Sequence, residues 1–273
     1  MCHVLKVPRK GYSSWKNRPF NERTEENIKL IPLVRQIHSE SGGTYGSRRI
    51  AKALQALGIP CGRSRAKMLM RMAGVAARQR KKFRVTTDSK HNLPVAPNLL
   101  DRQFDVKKPN KIWASDISYV WTAQGWLYLA VVLDLFSRQI VGWAMDNRIN
   151  RKLVMSALQM AIWRRRPSSG LMFHSDRGSQ YCSHDFQRLL KTHKMICSMS
   201  RKGDCWDNAV VESFFGSLKK ERGFVKNYRT REEARKDIID YIEMFYNSRR
   251  QHSYLGYLSP QEFENRQFLK KVA

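Results

Sequence analysis

Beyond residue 110 the chain alternates short apolar runs of strand length with longer amphipathic stretches. Ile112 to Val120 (Ile-Trp-Ala-Ser-Asp-Ile-Ser-Tyr-Val) is β-branched and aromatic and reads as a strand. Trp126–Leu133 and Gln139–Met145 are two further apolar runs, joined by Asp134-Leu-Phe-Ser-Arg138, which makes an antiparallel meander. Arg151 to Arg165 is predicted to be a helix with Leu153, Ala157, Met160 and Ala161 inward. Leu171–Asp176 is a fourth strand, Asp185–His193 a second helix and Met195–Met199 a fifth strand. A helix over 207–222 comes next, capped by Asp207 or Asn208, with Val211, Phe214, Phe215 and Leu218 on its apolar face. Arg231–Arg249 reads as one long helix.

The front of the chain has only helical periodicity. A helix opens at Thr24-Glu25-Glu26 and closes near Gly42, with Pro32 placed to kink it. Ser47–Leu57 and Arg63–Met72 are two short amphipathic helices separated by Gly58-Ile-Pro60. The second opens with Arg63, Ser64, Arg65 and Lys67, and Arg71 stands one turn later. This suits a helix-turn-helix that contacts DNA, although any helical hairpin with a basic surface shares the pattern. The basic run Arg78–Arg84 extends that surface. Residues 86–107, with two prolines and little apolar periodicity, read as a linker. The expected organisation is a helical DNA-binding domain over 1–85, the linker, a catalytic core over 108–225 and a helical extension over 226–273.

Charge narrows the choice of partner. The 51 Lys and Arg against 23 Asp and Glu give +28, which favours a polyanion, nucleic acid before membrane, because phosphate neutralisation releases counterions. Residues 1–107 hold 23 Lys and Arg against 7 Asp and Glu, a net +16, so the polyanion binder is concentrated at the front. No apolar run approaches the roughly 18 residues that span a bilayer. Met1 to Lys10 lacks the apolar segment of a secretory signal. The five cysteines are scattered without metal-site spacing, as in a reduced cytoplasmic protein.

The strand-helix succession implies a mixed five-stranded sheet covered by helices. Three acids stand out against it. Asp116 lies inside an apolar strand, where a lone carboxylate is costly without a partner or a cation. Asp176 ends the fourth strand. Glu212 shares a helix stripe with Asn208, Gly216 and Lys219, and Lys219 lies about 10 Å along the axis from Glu212. If the first and fourth strands are neighbours, the acids can converge and hold Mg²⁺ or Mn²⁺ through hard oxygen ligands. Two such ions about 3.5–4 Å apart activate a water or 3′-hydroxyl against a phosphodiester. Each acid also has a plainer reading. Asp116 can pair with an Arg, Asp176 can be a turn residue before Gly178, and Glu212 with Lys219 can be a solvated helix face. Asp134 reads as a turn starter and His174 as an ordinary strand residue. No Ser-His-Asp, P-loop or dinucleotide motif competes.

Together, Trp113-Ala-Ser-Asp116-Ile-Ser-Tyr, His174-Ser-Asp176-Arg-Gly-Ser-Gln-Tyr181 and Asp207-Asn208-Ala-Val-Val-Glu212-Ser-Phe-Phe resemble the DDE transposases of bacterial insertion sequences. The 35 residues between Asp176 and Glu212 match the spacing of the members related to retroviral integrases, and Lys219 matches their basic residue. The tail Tyr246-Asn247, Arg250-Gln-His252, Leu255-Gly256 and Pro260 looks like the signature of the orfB product of insertion-sequence family three. Ser118 stands where that family often has Thr. The resemblance covers nearly the whole chain.

It implies an α/β, RNase H-like catalytic core preceded by an all-α helix-turn-helix domain and followed by a helical tail. It further implies Mg²⁺-dependent cleavage and strand transfer at insertion-sequence ends, with Asp116, Asp176 and Glu212 as metal ligands and Lys219 on a DNA phosphate. Arg63, Ser64, Arg65, Lys67 and Arg71 become candidate terminal-repeat contacts, and Asn208 a residue that orients Glu212 or touches DNA. Terminal repeats and target DNA are the expected partners, with an upstream orfA-type protein or frameshift fusion and a homo-oligomer on DNA at the bacterial nucleoid. Two rivals remain: a DNA-binding regulator without catalysis, and an RNase H-like nuclease or resolvase that cuts without joining.

Overall fold

A computed structural model describes residues 2, 4, 7–17, 22–78, 93–201, 205–223 and 227–272. Most of the basic run after Arg78 and residues 86–92 of the expected linker lie outside them. The chain divides into two compact units, Met1–Ala77 and Arg78–Ala273.

The first unit is helical: α1 (Arg9–Lys16), α2 (Glu22–Glu40), α3 (Ser47–Ala56) and α4 (Arg63–Met72). Helix α2 runs through Pro32. Val34 and Ile37 of α2, Ile50 and Leu54 of α3, and Ala66 and Leu69 of α4 are buried and form the core. Gly58, at φ +78°, ends α3 in the left-handed conformation that glycine adopts without steric cost. Ile59 N–H then closes the turn onto the Leu54 carbonyl at 3.0 Å.

The second unit is a five-stranded sheet in the order β3-β2-β1-β4-β5. Its strands are β1 (Ile112–Thr122), β2 (Gly125–Asp134), β3 (Ile140–Asp146), β4 (Met172–Ser175) and β5 (Ile196–Met199). The meander β1-β2-β3 is antiparallel, and β1, β4 and β5 are parallel. The helices are α5 (Arg151–Arg165), α6 (Ser179–Cys182), α7 (His184–Thr192), α8 (Ala209–Leu218), α9 (Arg231–Ile239) and α10 (Pro260–Val272). A mixed sheet with helices on both faces is the α/β core that the order of strands and helices in the sequence implied.

Because β1 and β2 are covered on both faces, their side chains alternate between two cores rather than between core and water. Ala114, Val120, Leu129 and Val131 pack with Val211 and Phe214 of α8. Trp113, Ala130 and Val132 pack instead with Leu158 of α5 and Phe186 of α7. Helix α5 lies directly on β3: a Cβ at Gly142 would sit 2.2 Å from the Ala157 carbonyl oxygen.

Three elements differ from the sequence expectation. The 207–222 helix is a 3₁₀ turn (Cys205–Asn208), then α8, then a π-helical turn (Lys219–Gly223). The 231–249 helix is α9 followed by a second π-helical stretch, Asp240–Tyr246. Residues 93–107 have no regular structure, yet they are anchored. Leu100 is buried, and the N–H groups of Leu99 and Leu100 donate to Ser198 Oγ at 2.9 and 3.2 Å.

The two π stretches meet. Tyr241 Oη donates to Glu221 Oε2 at 2.8 Å, and Arg250 donates to the same carboxylate through Nε (2.9 Å to Oε2) and Nη2 (2.8 Å to Oε1). Arg250 also donates to Ser217 Oγ on α8 at 2.9 Å. Both charged groups are buried, so the pair stands in an environment where each needs the other. Among the described residues no helix is long and apolar enough to cross a membrane.

Candidate active site

Strand β1 pairs with β4 through Ala114 and His174, and each strand's aspartate lies two residues further on. Parallel pairing thus brings Asp116 and Asp176 to equivalent places on neighbouring strands. Asp116 keeps part of its surface open, yet its carboxyl is pushed well above the ordinary carboxylate range. Desolvation is the largest cause and the charge of Asp176 the next, while Glu212 adds a smaller push. The Ile117 N–H, 2.7 Å from Asp116 Oδ1, and the cation of Lys219 pull the other way.

Asp176 is also a turn residue. Its Oδ1 accepts from the Gly178 N–H at 2.9 Å, and a Cβ at Gly178 would come within 3.0 Å of that oxygen. The turn fixes the carboxylate before α6 begins.

Asp207 does not cap α8. Its carboxylate accepts from Arg201 N and Asn98 Nδ2, each at 2.8 Å, and from Arg102 Nε at 3.1 Å. Asn208 is the N-cap residue but makes no capping bond with its side chain. Instead Asn208 Nδ2 donates to the Ser115 carbonyl at 3.2 Å, and its buried Oδ1 has no partner among the described residues.

The stripe of Asn208, Glu212 and Lys219 is only partly solvated, so the plainer reading of a solvated helix face does not describe it. Asn208 and Lys219 are buried and Glu212 is exposed. The Glu212 carboxyl is raised by desolvation. Lys219 Nζ lies 4.9 Å from the centroid of the Tyr119 ring. Burial lowers its pKa to about 8, against the opposing pull of Asp116.

Tyr181 joins the site without having been predicted to. Its Oη is 2.8 Å from Ser115 Oγ, and desolvation with the charges of Asp116 and Asp176 drives its pKa well up, keeping the hydroxyl protonated. In sequence it closes the motif that begins at His174, and only the fold reveals its neighbours. His174 is indeed a structural strand residue. It is buried between Ser198 Oγ (2.9 Å) and Ser200 Oγ (3.3 Å), with its pKa lowered to about 4 by desolvation. Asp134 starts the turn after β2, accepting from Phe136 N at 3.0 Å and Asn110 N at 2.8 Å.

Residues 106–205 match the integrase core domain family, residues 212–268 match a second integrase core domain, and residues 24–83 match an HTH-like domain. The 31 kDa protein of insertion element IS600 from Shigella sonnei is 43% identical over 266 residues, 97% of this chain and 98% of that protein. Transposase InsF for insertion sequence IS3A of Escherichia coli strain K12 is 42% identical over 268 residues, 97% of this chain and 93% of that one. The chain belongs to the IS3 family of transposases. Among solved structures, the catalytic core domain of BIV integrase aligns with 60% of this IS3-family chain and 99% of its own, at 18% identity and a TM-score of 0.45. The HTLV-2 integrase catalytic core domain in complex with magnesium aligns over 57% and 96%, at 17% identity and a TM-score of 0.45.

In the HTH-like domain of this IS3-family chain, Arg63, Ser64, Lys67 and Arg71 are exposed on α4. Arg63, Lys67 and Arg71 recur every four residues and share one face. Arg65 faces its own domain, donating to Asn27 Oδ1 and Glu26 Oε2 (both 2.9 Å) and to the Pro60 carbonyl (3.1 Å). It braces α4 against α2.

The donor set suits a hard divalent cation. Two carboxylates on adjacent strands raise each other's cost of ionisation, and a cation between them removes that conflict. Among the described residues no three His, Cys, Asp or Glu side chains already stand arranged around a metal position. Glu212 is exposed on α8.

Proposed function

We propose that this IS3-family chain cleaves DNA at the ends of an insertion sequence and joins the ends to target DNA, using a divalent cation. The observation that carries this reading is the Asp116–Asp176 repulsion within reach of the Lys219 cation. A protein with a +28 surplus keeps two mutually repelling carboxylates beside one lysine, an arrangement suited to metal-assisted chemistry on a polyanion.

Asp116 on β1 and Asp176 just after β4 would hold Mg²⁺ or Mn²⁺, with Glu212 of α8 as the third ligand. The ion supplies Lewis acidity at the phosphodiester and favours the deprotonated form of a water or 3′-hydroxyl. Transesterification exchanges one P–O bond for another and needs no outside energy source. Lys219, charged below about pH 8, offers its ammonium to a phosphate near the reacting strand. Asn208 ties the start of α8 to β1, and the Tyr181 hydroxyl, kept protonated by burial and the nearby acids, shares a hydrogen bond with Ser115 Oγ. Arg63, Ser64, Lys67 and Arg71 give the separate HTH-like domain a basic face for a DNA groove. Terminal repeats, target DNA, an upstream orfA-type partner or fusion, and assembly of more than one copy on paired ends complete the picture.

The test is Asp116→Asn in the full chain. Duplex binding is expected to persist while Mg²⁺-dependent cleavage disappears, whereas equal cleavage by the variant overturns the assignment. Wild-type protein with end-bearing DNA is expected to give joined molecules or circles. Nicks alone would make it a nuclease, and binding without any cut a regulator. Adding the upstream partner in a parallel reaction reads whether this chain acts alone.

A further inference from the structure

The tip of the β1-β2 hairpin carries an aromatic ladder that the chemistry above does not use. Tyr119 meets Trp126 edge-to-face with centroids 4.9 Å apart, and Trp126 meets Trp121 in the same way at 4.7 Å. Tyr128 stands on the other side of Tyr119, at 6.4 Å. The strand register explains the contacts, since Tyr119 lies opposite Tyr128 and Trp121 opposite Trp126. Cross-strand aromatic pairs also stabilise a hairpin. That role, however, does not require the rings to face water. Trp121 is 58% exposed and Trp126 42% exposed, side by side on a sheet whose remaining aromatic residues are largely covered.

Cations mark both ends of the ladder. Lys219 Nζ stands over Tyr119 at the end nearest Asp116. Arg231 sits at the tip, where its Nε donates to the Trp126 carbonyl at 3.1 Å. Tyr119, Trp126 and Trp121 thus form a run of rings that reaches the protein surface with a positive charge at each end. Perpendicular rings leave faces open for stacking, and flanking cations match the phosphates that connect one base to the next.

We propose that Tyr119, Trp126 and Trp121 form a stacking platform for unpaired bases of the DNA strand being processed, holding the end open beside Asp116. This rests on the cleavage reading above and adds to it a subsite and a ligand form: single-stranded DNA continuous with a duplex. Because every base has a π face, the platform selects unpaired over paired DNA rather than one sequence over another.

The probe is a duplex carrying a single-stranded 3′ tail of roughly six nucleotides, with 2-aminopurine in the tail, set against the blunt duplex. With the full wild-type chain, stacking is expected to quench the 2-aminopurine. Trp121→Ala/Trp126→Ala is expected to abolish the quench and weaken tailed-duplex binding by about tenfold or more. Blunt-duplex binding is expected to stay unchanged. Phe at both positions is expected to restore most of the affinity, which a merely bulky filler would not do. Trp163→Ala serves as the control, because Trp163 is 76% exposed yet lies on α5. Should the double variant unfold, Trp121→Ala alone carries the measurement.

Tail affinity and quench equal to wild type in the alanine variant overturn the platform. So does loss of self-association in place of tail binding, which would make the ladder an interface between copies. The two readings fail separately. Asp116→Asn is expected to keep the quench, and a wild-type chain that quenches but never cuts sinks the cleavage reading alone.

Discussion

Asn208 Nδ2 donates to the backbone carbonyl of Ser115 at 3.2 Å, fastening the start of α8 to the residue that precedes Asp116. One turn along that helix stands Glu212. The bond therefore helps fix where Glu212 starts relative to Asp116. Asn208→Ala is expected to cost about 1 kcal/mol of stability, the usual net worth of one buried hydrogen bond. Cleavage is expected to fall much further, by about tenfold or more, because a small misplacement of a reacting group is expensive. Thermal unfolding and initial rates on the same preparation separate the two effects, and matched losses would reduce Asn208 to a structural tie.

With Asp116 as the proposed metal ligand, metal and proton compete for one carboxylate. Its folded-state pKa is raised, so without metal the native protein holds more protons than the unfolded chain from pH 3.8 upward, and stability falls as pH rises through that window. Divalent cations displace the proton, so Mg²⁺ is expected to raise the unfolding temperature more at about pH 8 than at about pH 5. Asp116→Asn should remove the difference. Calorimetric titration in buffers of differing ionisation heat should show proton release on binding to wild type only.

His174 produces the opposite slope. Burial lowers its pKa from 6.5 to about 4, so between those values the unfolded state binds the extra proton and stability is lost as pH falls. The whole shift corresponds to about 3 kcal/mol at most. His174→Asn should flatten this acid limb with or without Mg²⁺, as read by denaturant midpoints across the range.

The buried Arg250–Glu221 pair invites a double-mutant cycle. Arg250→Met alone leaves a buried carboxylate without its cation, at a cost of about 3–5 kcal/mol. Combining it with Glu221→Leu should recover most of that loss. Additive losses in urea denaturation would mean that the pair is not an interacting unit.

On the HTH-like domain, Arg63→Ala, Lys67→Ala and Arg71→Ala should each weaken duplex binding at all sequences and lower the salt slope by about one. Arg65→Ala should instead lower the stability of the first unit, since its guanidinium braces Asn27 and Glu26. Binding isotherms over a salt series distinguish these outcomes.

The strands and α5 were legible because apolar periodicity is a local property. The fold emerged once β1 and β4 could be placed side by side. Asp116 announced itself by its cost, as a carboxylate inside an apolar strand. The features that escaped depended on partners far along the chain. Asp207 resembled a helix cap until Arg102 and Asn98 claimed its carboxylate. The helical tail was expected, but not that Glu264 of α10 would be buried, pairing with Arg165 and accepting from Ser137 Oγ. Asn208 and Lys219 had the spacing of a solvated stripe, and burial took them out of it. The winding changes on either side of α8 leave no periodic signature at all.

Those changes bear on how the protein tolerates insertions and deletions. A π turn accommodates one residue more than α winding allows. Excising a single residue from the regular turns of α8, which carry no such slack, would instead rotate the residues of Lys219–Gly223 by roughly 100° about the axis. Glu221 would then point away from Arg250 and Tyr241, although no core side chain had been replaced. In that short stretch the number of residues matters as much as their identity.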